Sequence, residues 1–218
     1  MASDKTNIPN SNSLASLKEH SEIIIHQLHA PLELMGFEAR NKYEILDKNK
    51  NKIGFAAEQQ KGFLGVIARQ FLGHWRSFDI LIFDLSKQLV IQAKHPFKFF
   101  FQRLEVKDAG GQYLGAIQQR FSIFTKRFDV EDAHGRVIME VASPIWKLWT
   151  FVFKSRSNQQ VAAIHKKWSG VLSEIFTDKD NFLIEMSESL TVEERKIIIA
   201  AALFVDLQYF ERKAGSRY

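Results

Sequence analysis

The residues that could perform chemistry are few in this sequence, and none of them forms a recognisable catalytic group. His26 and His29 are spaced i, i+3, which on a helix would present two imidazoles to a metal ion, but no third ligand lies nearby. The chain has no cysteine, which rules out thiolate chemistry and S-acylation. It also lacks a nucleophile elbow, a glycine-rich phosphate loop and a paired-carboxylate motif. Hydrolase and nucleotide-dependent functions are therefore not favoured, and the two histidines are interpreted as part of a solvated helix face.

The basic and aromatic composition indicates an anionic partner. The chain has 30 Lys and Arg residues against 25 Asp and Glu residues, and it contains 19 Phe and 4 Trp residues. The sequence HKKW at residues 165–168 could contact the phosphates of lipid or nucleic acid. The favoured interpretation, however, places Trp168 in the core and the two lysines in solvent. Residues 1–20 are polar and lack a signal-peptide core, so a disordered tail on a cytoplasmic protein is predicted.

The elements that must position these residues are mostly short β-strands. From Ser21 to Met35 the apolar residues recur at helical spacing, which predicts an N-terminal helix that Pro31 should kink and Gly36 should end. The pattern then changes to short β-like runs separated by turns rich in Asp, Asn and Gly, which predicts a β meander. Asp84, Asp108 and Asp132 begin three of these turns. The runs cover residues 43–46, 53–57, 78–83, 89–93, 102–106, 113–117, 123–128, 137–141, 149–153 and 161–164, with two more strands around the turn at 178–181.

The C-terminal segment from Leu190 to Glu211 reads as a buried helix. Thr191 as N-cap and Glu194 three positions later form a capping-box pattern. The apolar run that follows has no polar face, so it must be surrounded by protein, and it is far shorter than the ~20 residues that a bilayer requires. The residues assigned to this buried helix are Ile197, Ile198, Ala201, Phe204 and Val205.

About twelve antiparallel strands are enough for a sheet to curl and close, which hides its edges. The predicted fold is therefore mostly β, a closed antiparallel barrel of about twelve strands around the buried hydrophobic C-terminal helix, with an additional N-terminal helix. The predicted barrel domain covers residues 21–218 and follows the tail at residues 1–20.

Several segments of the chain resemble the phospholipid scramblase family, whose Tubby-like fold wraps twelve antiparallel strands around a hydrophobic C-terminal helix. The resemblance spans about Ile23 to Glu211. It is carried by GFE at 36–38, NKYEI at 41–45, FAAE at 55–58, KKWSG at 166–170, FTDKDNF at 176–182 and DLQYFE at 206–211. The resemblance implies that the protein binds phospholipids and promotes their movement between leaflets, without a chemical reaction and without consuming nucleotide.

One departure from the family concerns membrane anchoring. Many scramblases carry palmitoylated cysteine-rich stretches, and at the corresponding positions this chain has aromatic residues interleaved with basic ones. Aromatic rings settle at lipid interfaces and each Lys or Arg contributes ~1 kcal/mol towards anionic head groups, so non-covalent anchoring could replace acyl chains. In the alternative interpretation, half of these rings point into the barrel. The predicted lipid contacts are Phe63, Phe71, Trp75, Arg76, Lys94, Phe97, Lys98, Phe99, Phe100, Phe101, Arg103, Trp146 and Trp149.

A second departure concerns calcium. The family's proposed twelve-residue calcium segment begins with two aspartates that match Asp178 and Asp180, but its final position here is Ser189 instead of an acid. Calcium needs six to eight oxygen ligands, whereas the positions between are largely apolar. The segment is interpreted first as a hairpin turn leading into a strand, and weak calcium binding through Asp178 and Asp180 is the alternative.

The function predicted from the sequence is a non-enzymatic peripheral protein on the inner face of a membrane, which binds anionic phospholipids. Nucleic-acid binding, or another interaction role on the same scaffold without scramblase activity, is the alternative, and steep salt dependence with DNA would favour it. A barrel that binds a small molecule is a third interpretation. No cofactor is implied other than calcium.

Overall fold

The computed structural model describes residues 14–28, 39–59, 77–96, 98, 100–123, 125–144, 150–166 and 181–210. A short 3-10 helix, Leu14–Glu19, precedes the sheet, and helix α1, Val192–Val205, follows it and continues as a π-helical turn, Asp206–Phe210. The strands are β1 (Glu22–Leu28), β2 (Ala39–Asp47), β3 (Lys52–Gln59), β4 (Phe78–Asp84), β5 (Leu89–His95), β6 (Arg103–Asp108), β7 (Tyr113–Arg120), β8 (Thr125–Asp132), β9 (Val137–Pro144), β10 (Thr150–Ser155), β11 (Gln160–His165) and β12 (Asn181–Met186).

These twelve strands form a closed antiparallel barrel, which confirms the predicted fold class. Strands β2 to β12 follow one another around the barrel in sequence order, and β1 closes it by pairing with both β2 and β12. Alternate strand residues face the interior, as Leu104 and Val106 do on β6 while Arg103 and Lys107 face outward. Because every strand has two neighbours, no unpaired edge remains among the described strands.

Five tight hairpin turns at one end of the barrel share a single geometry. In four of them the first residue is Asp, and its Oδ1 accepts the backbone N–H four residues later, at 2.8 Å from Asp47 to Asn51 and 2.9 Å from Asp108 to Gln112. The fourth residue of each turn has a positive φ, which matches a type I turn followed by a bulge. These residues are Lys50 (67°), Lys87 (62°), Gly111 (82°), Gly135 (77°) and Asn158 (61°).

The turn that begins at Asp132 also shows that local hydrogen bonds stabilise the ionised Asp side chain. Desolvation would raise the pKa of Asp132, but hydrogen bonds from Arg136 and His134 outweigh it and hold that pKa below its ordinary value. The Arg136 guanidinium additionally pairs with Asp132 Oδ2 at 2.7 Å. The interactions that form each turn are therefore local in sequence, and they fix the register of the hairpin.

Helix α1 runs through the barrel from this turn end towards the opposite end. Its capping box is present: Glu194 N donates to Thr191 Oγ1 at 3.2 Å, and Thr191 N donates to Glu194 Oε2 at 2.8 Å. Every residue from Ile197 to Val205 is buried, which confirms the predicted core helix with Ile197, Ile198, Ala201, Phe204 and Val205 inside. Gly115 on β7 makes room for it, because a Cβ there would lie 2.9 Å from Ile197 Cδ1.

The turn end is sealed by the N-terminal 3-10 helix and a buried arginine. Leu14 and Leu17 are buried, and Leu14 lies so close to β3 that a Cβ on Gly54 would approach Leu14 Cδ1 to 2.3 Å. Arg195 is fully buried and donates to the carbonyl oxygens of Leu17 (3.2 Å) and His20 (2.6 Å). Burial lowers the pKa of this guanidinium, with the charge of Glu188 opposing the shift. The tail prediction is therefore wrong for residues 14–20, while residues 1–13 lie outside the described range.

The predicted N-terminal helix is also wrong. Residues 22–28 form strand β1, so His26 lies on a strand, and residues 29–38 lie outside the described range. Ile23 and Ile25 belong to the main core cluster, whereas Ile24 pairs with Leu46 and Leu183 in a second buried cluster. Because consecutive residues are buried on both faces, the apolar run shows no strand alternation, and β-branched residues favour the extended conformation.

Strand β1 also changes how the twelve strands are counted. The sequence-based count reached twelve with two strands around the 178–181 turn, whereas β11 pairs directly with β12 and β1 is the twelfth strand.

Candidate functional site

The barrel has two chemically different ends. Odd-numbered strands finish, and even-numbered strands begin, at the end opposite the tight turns. The segments 60–76, 96–102, 121–124 and 145–149 each join two strands whose described ends lie there. Four of the five exposed large hydrophobic residues of the described chain belong to two of these segments: Phe100, Phe101, Phe121 and Ile123. We refer to this as the aromatic end and to the opposite one as the turn end.

Four of the predicted lipid contacts that the structure describes lie at the aromatic end, namely Lys94, Lys98, Phe100 and Phe101. Lys94 and Lys98 lie on or just after β5, with Lys94 exposed and Lys98 partly exposed. Eight of the predicted contacts lie outside the described residues, namely Phe63, Phe71, Trp75, Arg76, Phe97, Phe99, Trp146 and Trp149.

Phe100 and Phe101 occupy the segment between β5 and β6. Phe100 is 79% exposed and Phe101 is 47% exposed. Phe101 has a φ of 53°, a left-handed conformation that is uncommon for an aromatic residue and costs free energy. It is held from β7, because Gln118 Nε2 donates to the Phe101 carbonyl oxygen at 3.0 Å. Gln102, next in the chain, is tied to the same strand through the Gln119 side chain at 3.1 Å.

Phe121 and Ile123 occupy the segment between β7 and β8, and sequence reasoning missed both. They are 74% and 64% exposed, and Ile123 was expected inside a strand that in fact begins at Thr125. Between them, the Ser122 hydroxyl contacts the Thr125 hydroxyl and accepts the Thr125 backbone N–H at 3.2 Å. The signal that could have revealed them is the polar run QQR that precedes Phe121.

Arg103 was predicted to contact lipid, but its guanidinium is engaged within the outer barrel wall. Its Nη1 lies 2.8 Å from Glu131 Oε2, and its Nη2 donates to the Tyr113 hydroxyl at 3.0 Å. Desolvation would lower the pKa of Arg103, but the hydrogen bond and charge of Glu131 outweigh it and raise that pKa. Burial raises the pKa of Tyr113, against the effect of Arg103. Arg120 joins the same network through Glu131, with Nη2 3.3 Å from Glu131 Oε1, and it also pairs with Asp129 at 2.6 Å. These residues brace the wall beneath the exposed aromatic residues.

Inside the barrel, helix α1 finishes at the aromatic end in a buried polar cluster. Asp206 accepts a hydrogen bond from the Tyr43 hydroxyl at 2.8 Å and pairs with Lys166 Nζ at 2.5 Å. The Lys166 and Asp206 side chains are only 5% and 2% exposed. One turn further, Gln208 Nε2 lies 3.3 Å from Nε2 of the fully buried His95. The interior is thus filled by apolar residues along the helix and by mutually bonded polar groups at its end.

The described structure offers little support for a calcium loop. Asp178 and Asp180 lie outside the described residues, but the remainder of that segment forms β12 and the turn after it. Phe182, Ile184 and Met186 are part of the hydrophobic core and supply no oxygen ligand. Within the described ranges there is also no group of three or more His, Asp or Glu side chains that could hold a metal. The residues that are placed therefore do not fit a twelve-residue calcium site.

Among the described residues, no helix is both long enough and apolar enough to cross a membrane. A closed antiparallel barrel of twelve strands around a buried C-terminal helix is the architecture of a Tubby-like barrel protein.

Comparisons with known proteins identify the family. The scramblase family model matches residues 1–212, so the chain belongs to the scramblase family. Human phospholipid scramblase 1 is 29% identical over 212 residues, which cover 91% of this chain and 65% of the human protein. Phospholipid scramblase 2 of Bos taurus is 29% identical over 93% of this chain and 72% of its own length. Human phospholipid scramblase family member 5 is 29% identical over 91% of this chain and 77% of its own length. The chain thus spans slightly less than two thirds of human phospholipid scramblase 1.

Proposed function

We propose that this protein binds anionic phospholipid bilayers peripherally and moves phospholipids between leaflets without nucleotide and without a chemical reaction. The observation that carries the proposal is the concentration of exposed Phe100, Phe101, Phe121 and Ile123 at one end of the barrel. Exposed apolar clusters of this kind mark interaction surfaces. Membership of the scramblase family, whose matched relatives are named phospholipid scramblases, supports a phospholipid as the partner.

The filled interior limits how lipids can cross. A polar head group would need a hydrated path, but residues 197–205 are buried on all sides and Asp206 is bonded to Tyr43 and Lys166. In the proposed mechanism, head groups therefore pass outside the barrel, through bilayer that the inserted aromatic residues disorder locally. In this mechanism no covalent bond is broken or formed. The protein only lowers the energy barrier for phospholipids to move between leaflets down their concentration gradient. The inner, cytoplasmic leaflet is the proposed site of contact, since anionic lipids give that surface its negative potential.

The proposal is tested by leaflet exchange in vesicles of phosphatidylcholine and phosphatidylserine that contain a fluorescent phospholipid. The purified protein is added without nucleotide, with either calcium or a chelator, and a membrane-impermeant reductant quenches the outer leaflet. We expect quenching to continue past the outer-leaflet fraction with protein and to stop there in protein-free vesicles. Vesicles that retain a protected inner leaflet while the protein co-floats with them would contradict leaflet exchange but leave phospholipid binding intact.

The nucleic-acid alternative is examined with the same preparation. Binding to a DNA duplex is followed by fluorescence anisotropy across a range of salt concentrations, because phosphate contacts give a steep salt dependence. We expect vesicle binding to exceed DNA binding at physiological salt. Salt-dependent DNA binding without any flotation on vesicles would replace the lipid proposal with the alternative.

A further inference from the structure

The two loops that carry the exposed hydrophobic residues are structurally joined. Strands β6 and β7 are neighbours, with Arg103 opposite Gln118, so the β5–β6 and β7–β8 loops emerge side by side at the aromatic end. The Gln118 side chain bonds the Phe101 carbonyl oxygen, and the Gln119 N–H donates to the Gln102 carbonyl oxygen at 2.8 Å. The first loop is therefore fastened to the strand from which the second begins.

Both loops expose their apolar side chains to solvent, from 47% for Phe101 to 79% for Phe100. The left-handed backbone of Phe101 is a strained conformation that persists only because surrounding contacts impose it. In the second loop, the Ser122 hydroxyl contacts the Thr125 hydroxyl and accepts the Thr125 N–H, which ties Ser122 to the first residue of β8. Because these contacts exist in the free protein, ordering the loops on a partner would cost little conformational entropy.

The charge around these loops identifies the kind of partner. Residues 94–103 and 118–127 contain no Asp or Glu. Three of their basic residues, Arg103, Arg120 and Arg127, pair with acidic residues of the barrel wall, and the Lys126 ammonium is buried over the Phe151 ring. The remaining two, Lys94 and Lys98, are exposed and partly exposed beside the first loop. Exposed apolar tips with Lys94 and Lys98 beside them match a bilayer, in which hydrocarbon lies beneath anionic head groups. Phe121 is 74% exposed, which is unlike the enclosed lining of a pocket for a peptide or small molecule.

We infer that the β7–β8 loop is a membrane-inserting element, and that Phe121 and Ile123 enter an anionic phospholipid bilayer together with Phe100 and Phe101 as one preformed wedge. This inference rests on the proposed function and deepens it, because it names which residues insert and adds a loop that the aromatic-rich segments of the sequence do not include. The wedge consists of residues 100–101 and 121–123.

The 218-residue chain contains no cysteine, which allows a direct test with single introduced cysteines. Single cysteines are placed by Phe121→Cys, Ile123→Cys and Leu85→Cys and labelled with an environment-sensitive fluorophore. Leu85 is the matched control, since it is exposed (43%) but lies in a hairpin turn at the turn end. With phosphatidylcholine–phosphatidylserine vesicles, we expect a blue shift and increased emission at positions 121 and 123 and no change at position 85.

A second variant measures how much the wedge contributes to binding. Replacing both Phe121 and Ile123 by Ser should weaken partitioning onto these vesicles by roughly 100-fold or more, since part of their exposed apolar area no longer enters hydrocarbon. The Leu85→Ser variant should bind as the native protein does, and both variants should keep the native melting temperature.

The outcomes separate the wedge from the proposed function. If the protein floats with vesicles while positions 121 and 123 remain in water, the wedge is refuted and phospholipid binding stands. If the labelled protein inserts but leaflet exchange fails, the wedge stands and the scramblase proposal fails. If nothing binds to the vesicles, both are overturned, and binding of the labelled loops to DNA or to another protein would be the result to pursue instead.

Discussion

Replacing Lys166 by Met should destabilise the barrel by removing the partner of a buried carboxylate. Lys166 Nζ lies 2.5 Å from Asp206, and the two side chains are 5% and 2% exposed, so water cannot take the place of the lost ammonium group. Breaking one side of such a pair costs about 3–5 kcal/mol. The Tyr43 hydroxyl still donates to Asp206, which favours the lower part of that range. At this chain length, about 3 kcal/mol corresponds to a decrease of roughly 6–12 °C in melting temperature.

The measurement is urea unfolding followed by tryptophan fluorescence and circular dichroism, with the free energy of unfolding taken by linear extrapolation. Lys107→Met, which removes an exposed lysine from the outer face of β6, is the matched control and should change stability by less than about 0.5 kcal/mol. The double variant Lys166→Met with Asp206→Leu should recover much of the loss, because it leaves no unpaired buried charge. A single variant as stable as the control would refute the reasoning that this pair holds the end of the helix.

Three further predictions follow from exposure, backbone conformation and charge. Replacing Phe100 and Phe101 by Ser should weaken flotation on anionic vesicles yet leave the melting temperature nearly unchanged, because both rings are largely outside the core; a large stability loss with unchanged flotation would contradict it. Lys87→Gly should raise the free energy of unfolding by about 1 kcal/mol in urea titrations, because glycine adopts the positive φ without a Cβ penalty. Asp132→Asn should lower stability at neutral pH, since the native carboxyl has a lowered pKa. That deficit should disappear as the pH falls below about 4 and the native carboxyl protonates, so a deficit constant from pH 7 to pH 3 would exclude the charge as its origin.

The hairpins and the core helix could be predicted from sequence because their determinants are local. Each turn is specified by an Asp whose carboxylate satisfies nearby backbone N–H groups, as Asp84 does for Gln88 at 2.8 Å. The helix is specified by its capping box and by an apolar run with no polar face, which has to be enclosed. No partner distant in sequence is needed to recognise either feature.

Strand β1 could not be predicted in the same way because its conformation depends on distant partners. Ile23, Ile24 and Ile25 fit the apolar spacing of a helix as well as that of a doubly buried strand. The choice is made by pairing with β2 and with β12, and the latter lies more than a hundred residues away along the chain. Such non-local pairing overrides local propensity.

Only half of the wedge could be predicted from the sequence, for a related reason. Phe100 and Phe101 stand in an aromatic run that has no strand periodicity, so exposure could be suggested for them. Phe121 and Ile123 alternate with Ser122, which is the pattern of a half-buried strand. Their exposure follows from where the strands end, because the last β7–β8 pair joins Arg120 to Arg127, β8 begins at Thr125, and residues 121–123 lie beyond the sheet.

Because the barrel interior is filled, the route that lipids take can be tested separately from membrane insertion of the wedge. If head groups cross outside the barrel, interior changes that preserve the fold should leave the exchange rate unchanged. The Lys166→Met and Asp206→Leu double variant alters the interior polar cluster, whereas Phe121→Ser with Ile123→Ser alters only the exposed tips. In the leaflet-exchange assay, we expect the first variant to remain active below its melting temperature and the second to lose exchange as it loses membrane contact. The reverse pattern, with exchange abolished by the interior change alone, would place the lipid path within the barrel and would require the helix to move.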